Sequence, residues 1–186
     1  MLGQRRLGAL ALVTLVACGN DIRTEHDAPP GPKRVFITRA AQTGKFGGLA
    51  GADRICTTAG ALLGGGPWKA WLSTSTVHAI DRITGTGPWV DTIGHVVFPS
   101  RAELMSLPSM PLYYDEAGKF LGVGELWTGT AVGGTYVATP SGPPCAEWTS
   151  RVGEATLGLA ARKDAAWTAQ RNEACDRPAH LICFEQ

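Results

Sequence analysis

Serine, histidine and aspartate fall close together in Ser73-Thr74-Ser75-Thr76-Val77-His78-Ala79-Ile80-Asp81. Brought into contact, Ser73 or Ser75 with His78 and Asp81 would make a nucleophile, its base and an orienting carboxylate. No Gly-x-Ser-x-Gly elbow accompanies them, so the stretch reads as a surface loop. His95 and His180 lie well apart from it in the chain. Gly64-Gly65-Gly66 lacks the Gly-Lys-Ser/Thr ending of a phosphate loop and reads as a turn. Cys56, Cys145, Cys175 and Cys183 contain no Cys-x-x-Cys pair, and His180 adds little to them, so no zinc site is expected. The expectation is a chain with no catalytic residues, no metal and no cofactor.

The fifth cysteine has a different setting. Arg5 and Arg6 precede a run, Leu7 to Ala17, that only Thr14 breaks with a polar side chain. Eleven residues are too few to span about 30 Å of hydrocarbon. A positive head, a short apolar core and small residues at its end make an export signal. The stretch Leu15-Val16-Ala17-Cys18 resembles the lipobox of bacterial lipoproteins. That resemblance implies cleavage after residue 17 and a lipid on Cys18, a membrane partner reached through acyl chains. Gly19 stands where an Asp would resemble the inner-membrane retention signal of two-membrane bacteria, which points to the outer membrane.

Removing residues 1–17 leaves 169 residues, enough for one domain with a core. Lys plus Arg falls from 17 to 15 against 16 acidic residues, a formal charge of about −1. Such a balance attracts neither nucleic acid nor an anionic bilayer. With Cys18 lipidated, four cysteines remain, and an even number in an exported chain suggests two disulfides. Arithmetic alone allows three pairings. Buried free thiols are the alternative.

The elements follow from pattern and punctuation. Residues 18–33 are polar and rich in Pro and Gly, a tether rather than a packed element. Residues 34–38 form a first strand. Leu49, Ala52, Cys56 and Ala59 recur at helical spacing and predict a helix over 49–60. Trp68-Lys69-Ala70-Trp71-Leu72-Ser73 alternates as a strand, with Trp68, Ala70 and Leu72 on one face and Trp71 on the other. Val77, Ile80 and Ile83 suggest one or two helical turns or an ordered loop. Ser100 with Glu103 makes a capping box, with Phe98 and Leu104 on either side, for a helix from Arg101 to about Ser106. A hairpin is expected around Glu116 to Gly118. Short strands are expected in the pieces GELWTGT, TYVA, CAEWTS, GEATLGLA, AWTA and HLICFE. The fold class is α+β, with short helices, many short strands and, among 24 glycines, long loops.

In that order the pieces resemble a family. Phe46 to Cys56, Trp68 to Ser73, Phe98 to Ser106, Glu125 to Gly129, Cys145 to Thr149 and Cys175 to Glu185 are similar to bacterial lipoprotein domains related to collagen endostatin. These have the C-type lectin-like fold. The resemblance spans residues 34–186, the expected domain. It implies nested bridges, Cys56 with Cys183 and Cys145 with Cys175, and structural roles for Trp68, Trp127 and Trp148. The family's site chemistry does not transfer with the fold. Sugar-binding members hold calcium with Glu-Pro-Asn or Gln-Pro-Asp and Trp-Asn-Asp triplets. Here the nearest pieces are Glu147-Trp148-Thr149 and Asn172-Glu173, short of the six to eight oxygens calcium takes. Endostatin's zinc histidines lie near its start, where this chain has only His26. Its arginine-rich heparin face has no counterpart, since Arg54, Arg82, Arg101, Arg151 and Arg162 are spread out.

Fold analogy then suggests a non-enzymatic binding or adhesion domain at the cell surface. A structural lipoprotein that binds cell wall is the second reading. The ligand would be a glycan, a matrix component or cell-wall polymer. Trp89, in the loop-like stretch Thr84 to Asp91, is the candidate ligand contact.

Overall fold

The computed structural model describes residues 31–186. The signal segment, Cys18, His26 and the tether up to residue 30 lie outside the described residues. Among the described residues eight strands form two sheets. The first has the order β2 (Trp68–Ala70), β8 (Ile182–Glu185), β1 (Lys33–Ile37), β3 (Trp89–Val90) and β4 (Val96–Phe98). Within it β1 runs parallel to β3 and antiparallel to β8. The second is antiparallel, β5 (Glu125–Trp127), β6 (Glu154–Leu159) and β7 (Arg171–Ala174). Helix α1 covers Gly48–Gly60 and continues as a 3-10 turn, Ala61–Leu63. Short helices α2 (Ala79–Arg82) and α3 (Arg101–Leu104) follow. The architecture is α+β.

The central strands β1 and β8 are buried on both faces, so the two-residue period sends alternate side chains into two cores. Val35, Ile37, Ile182 and Phe184 join Trp71, Trp89, Phe98 and Trp167 on one side. Phe36 and Cys183 join α1, Trp68, Leu72, Trp127 and Trp148 on the other. The alternation expected of Trp68 to Leu72 is present, and it feeds both cores. α1 packs its Ala52 and Cys56 inward, and the Cys56–Cys183 bridge ties it to β8. The second bridge joins Cys145 and Cys175. This is the nested pairing that the resemblance implies. Residues 31–186 therefore contain both cores and both bridges.

Arg34 on β1 pairs across to Glu185 on the adjacent strand β8, Nε to Oε2 at 2.8 Å. Burial pushes the Glu185 carboxyl up, but Arg34 and the N–H groups of Gly66 and Arg34 outweigh it and hold it below the usual range.

Several local expectations differ from the structure. Cys145–Trp148 is a turn with φ of 48, 48, 59 and 65°, all left-handed, rather than a strand. For residues with a Cβ this costs about 1–2 kcal/mol each, and it persists only where the surroundings dictate it. Here the Cys175 bridge holds one end. Buried Trp148 holds the other, donating from Nε1 to the Ser73 carbonyl at 2.8 Å. The AWTA piece is a 3-10 turn, Ala165–Trp167, because the Asp164 carboxylate accepts from the Ala166 N–H and caps it. TYVA contributes only an isolated bridge, Thr130 to Tyr136. α3 ends at Leu104. Its Ser100 hydroxyl accepts from the Ala102 N–H at 3.2 Å and donates to Glu103, so the carboxylate meets the hydroxyl instead of the Ser100 backbone.

Candidate functional site

Trp89 is not a surface residue; it is wholly buried. Pairing with β1 and β4 turns its indole onto Phe184, edge-to-face at 5.6 Å, and Nε1 donates to the Glu185 carbonyl at 2.8 Å. The glycines that made the stretch look like an exposed loop let the backbone lie against that ring. A Cβ at Gly85 or Gly87 would stand 3.0 Å from the indole. The assignment of Trp89 as a ligand contact is therefore corrected.

The serine–histidine group is dispersed. Ser73 Oγ meets Thr130 Oγ1 at 2.9 Å and accepts from the Ala79 N–H. Ser75 donates its hydroxyl to Glu147. His78 Nδ1 accepts from the Tyr136 N–H at 3.0 Å. Each of these side chains serves a loop contact. Among the described residues no group of three or more His, Cys, Asp or Glu is placed to hold a metal ion. Nor is any described helix long and apolar enough to cross a membrane.

Three aromatic rings, exposed Phe120 and half-buried Tyr113 and Tyr114, lie on the hairpin Tyr113 to Phe120. Its strands meet through the Tyr114–Phe120 bridge and the Leu121 N–H to Tyr113 carbonyl bond at 2.8 Å. It docks on the end of β1, where the Ile37 N–H donates to the Tyr114 carbonyl at 3.1 Å. The turn is organised by Asp115, which is completely buried. Its Oδ1 accepts from the N–H groups of Ala117 and Lys119, both at 2.8 Å, and Oδ2 from Arg39 Nε at 2.6 Å. Burial raises the Asp115 carboxyl, but Arg39 and the two N–H groups overcome this and hold it low. The neighbouring loop is built the same way: Asp91 accepts from the N–H groups of Ile93 and His95 and meets His95 Nδ1 at 3.0 Å. Thr92 Oγ1 donates to the Asp115 carbonyl at 2.9 Å and joins the two loops.

On this frame Tyr113 and Phe120 have ring centroids 5.2 Å apart, Tyr114 and Phe120 6.0 Å, and His95 and Tyr114 6.3 Å. Phe120 is 64% exposed, and Ile93, which lies against Gly118 of the same hairpin, 48%. Among the described residues neither tyrosine hydroxyl has a hydrogen-bond partner. The signal for this cluster was in the sequence. Tyr113 and Tyr114 are adjacent, and neighbours in a hairpin strand point to opposite faces, so both rings cannot enter one core.

Glu116, at the hairpin tip, also lines a groove of about 690 Å³ beside α1. It is lined by Gly51, Ile55 and Ala59 of α1 and Leu62 of the following 3-10 turn, together with Arg54 and Thr58. Phe46, Thr38 and Ala40 also line it. Phe46 is held by stacking on Trp148 at 5.3 Å. No protein-family model and no curated protein matches this chain.

Proposed function

We propose that this chain is a non-enzymatic lipoprotein of the bacterial outer membrane, anchored through Cys18. Its C-type lectin-like, endostatin-related domain binds a glycan. The observation that carries the reading is the cluster of exposed Phe120 and His95 with half-buried Tyr113 and Tyr114, on loops that two buried carboxylates hold in shape. Exposed rings on a rigid frame present apolar area at little cost in ordering. The apolar face of a pyranose can lie on such rings, while free tyrosine hydroxyls bond to sugar hydroxyls at the edge. No cation enters this mode.

The tether would reach the domain at Lys33, and the hairpin packs at Ile37, the other end of β1. At about 3.3 Å per residue the strand separates the two by roughly 13 Å. The aromatic face thus stands at the end of β1 away from Lys33. The order of the cysteine pairs and the clamping of an early helix to the final strand support the endostatin-like reading of the fold.

Residues 31–186, with both bridges formed, should be retained on an immobilised polysaccharide. A panel of peptidoglycan, matrix glycans and neutral glucans separates the cell-wall source from the adhesive one. Replacing Tyr114 or Phe120 by Ala should weaken retention about 3- to 10-fold per ring, from the ordinary worth of an aromatic contact. Retention on none of the panel, or retention indifferent to both replacements, would contradict the proposal.

A further inference from the structure

The groove along α1 differs in chemistry from the aromatic face, and it carries an inference independent of the glycan reading. Its stripe, Gly51, Ile55 and Ala59 on α1 and Leu62 on the 3-10 turn that continues it, covers eleven residue steps, roughly 16 Å at about 1.5 Å per step. Leu62 is 87% exposed, an unusual position for a leucine next to a concave surface. Two opposite charges line the same cavity. Arg54 makes no ion pair or hydrogen bond among the described residues, and its guanidinium lies 3.7 to 3.9 Å from where Gly51 and Gly47 would carry a Cβ. Glu116 uses Oε2 to accept from the Arg39 N–H at 2.8 Å, and its Oε1 has no partner among the described residues.

We infer that this groove binds a single zwitterionic phospholipid molecule, its phosphate at Arg54, its ammonium at Glu116 and an acyl chain along Ile55, Ala59 and Leu62. A guanidinium is suited to a phosphate, which it can meet through two parallel N–H bonds. An anionic amphiphile alone would leave Glu116 facing a like charge, whereas an ethanolamine head group satisfies both walls. A peptide would bring a backbone donor and acceptor with every residue. The α1 wall has its own backbone groups committed within the helix and offers only side chains in return. An acyl chain asks for no such partners.

Lysophosphatidylethanolamine, titrated below its micelle concentration into residues 31–186, is the direct probe, read by calorimetry or by amide shifts on α1. Saturable binding is expected. Arg54→Gln should weaken it about tenfold. Glu116→Gln should abolish the preference for ethanolamine over a lysophosphatidylglycerol head group, and Leu62→Gln should weaken both lipids alike. Arg54 and Leu62 are exposed, and Gln at position 116 keeps an acceptor for the Arg39 N–H, so these variants should melt as the parent does. No saturable binding by the parent would overturn the inference. So would equal binding by Arg54→Gln and the parent, or equal affinity of the parent for both head groups. Stronger binding of an apolar peptide with free termini would overturn it in favour of a peptide groove. Loss of glycan retention in Tyr114→Ala has no bearing on any of these readings.

Discussion

Asp115 is the residue on which the aromatic hairpin depends, and replacing it makes the sharpest test of that frame. Asp115→Ala removes three acceptor contacts, those from Ala117 N–H, Lys119 N–H and Arg39 Nε. Bonds to an ionised acceptor contribute about 1.5–3 kcal/mol each. Ala117 and Lys119 are exposed residues, so water recovers part of what their N–H groups lose. The expected loss is about 2–4 kcal/mol for the two backbone bonds, or about 5–15 °C in Tm for a domain of this size. Asp115→Asn keeps an oxygen where Oδ1 stands and should recover most of it. The pH dependence has a definite sign. A carboxyl held below its ordinary value stabilises the fold fully above the usual carboxylate range, and that contribution is lost as pH falls through the lowered value. The gap in Tm between the parent and Asp115→Asn should therefore narrow below about pH 4. Thermal melts from pH 3 to 7, with amide exchange at residues 113–120, would measure this. An Asp115→Ala variant that melts within 1–2 °C of the parent, with unchanged exchange in the hairpin, would refute the reasoning.

Replacing both cysteines of the outer bridge by Ala should cost about 5 kcal/mol and both of the inner about 3.6 kcal/mol, because the chain-entropy cost grows with loop size and the separations are 127 and 30 residues. Denaturant titration of the two double variants would check the order, and a larger loss from the inner pair would contradict it. Gly158→Ala should destabilise by about 3 kcal/mol or more, since overpacking a fixed backbone leaves no low-energy relaxation. Its Cβ would overlap the Trp167 carbonyl oxygen and stand 2.7 Å from the carbonyl carbon. A Gly158→Ala protein with unchanged denaturation midpoint would show that β6 and the 165–167 turn can part. Cys18→Ser should abolish lipid labelling and firm membrane fractionation of the full chain; unchanged labelling would remove the anchor from the account.

Much of the scaffold was legible because its signals are local and periodic. The inward face of α1 (Leu49, Ala52, Cys56 and Ala59) and the alternation of Trp68 to Leu72 depend on burial alone, and burial has a period. Ser100 and Phe98 to Leu104 marked a helix for the same reason, although the helix proved shorter. The strand Arg171–Ala174 escaped notice because it lies at a sheet edge, with Arg171, Asn172 and Ala174 exposed, and is held by backbone pairing to β6. The left-handed turn at Cys145–Trp148 is dictated by a bridge and a tryptophan pocket made by distant segments, so no local propensity announces it. Trp89 misled for a related reason. Glycines beside an aromatic residue can mark an open loop or a backbone pressed flat on a buried ring, and only the tertiary neighbours decide which. The aromatic face was half legible: the hairpin was expected, but the outward direction of its rings follows from its docking on β1.

The most direct test of the binding account is an aromatic-resonance titration of residues 31–186 with a soluble oligosaccharide taken from the polysaccharide that retains the domain. Saturable shifts at the ring protons of Tyr113, Tyr114 and Phe120, with Trp89 unmoved, are the expected result. Saturable shifts confined to other parts of the surface, with those three rings silent, would contradict it.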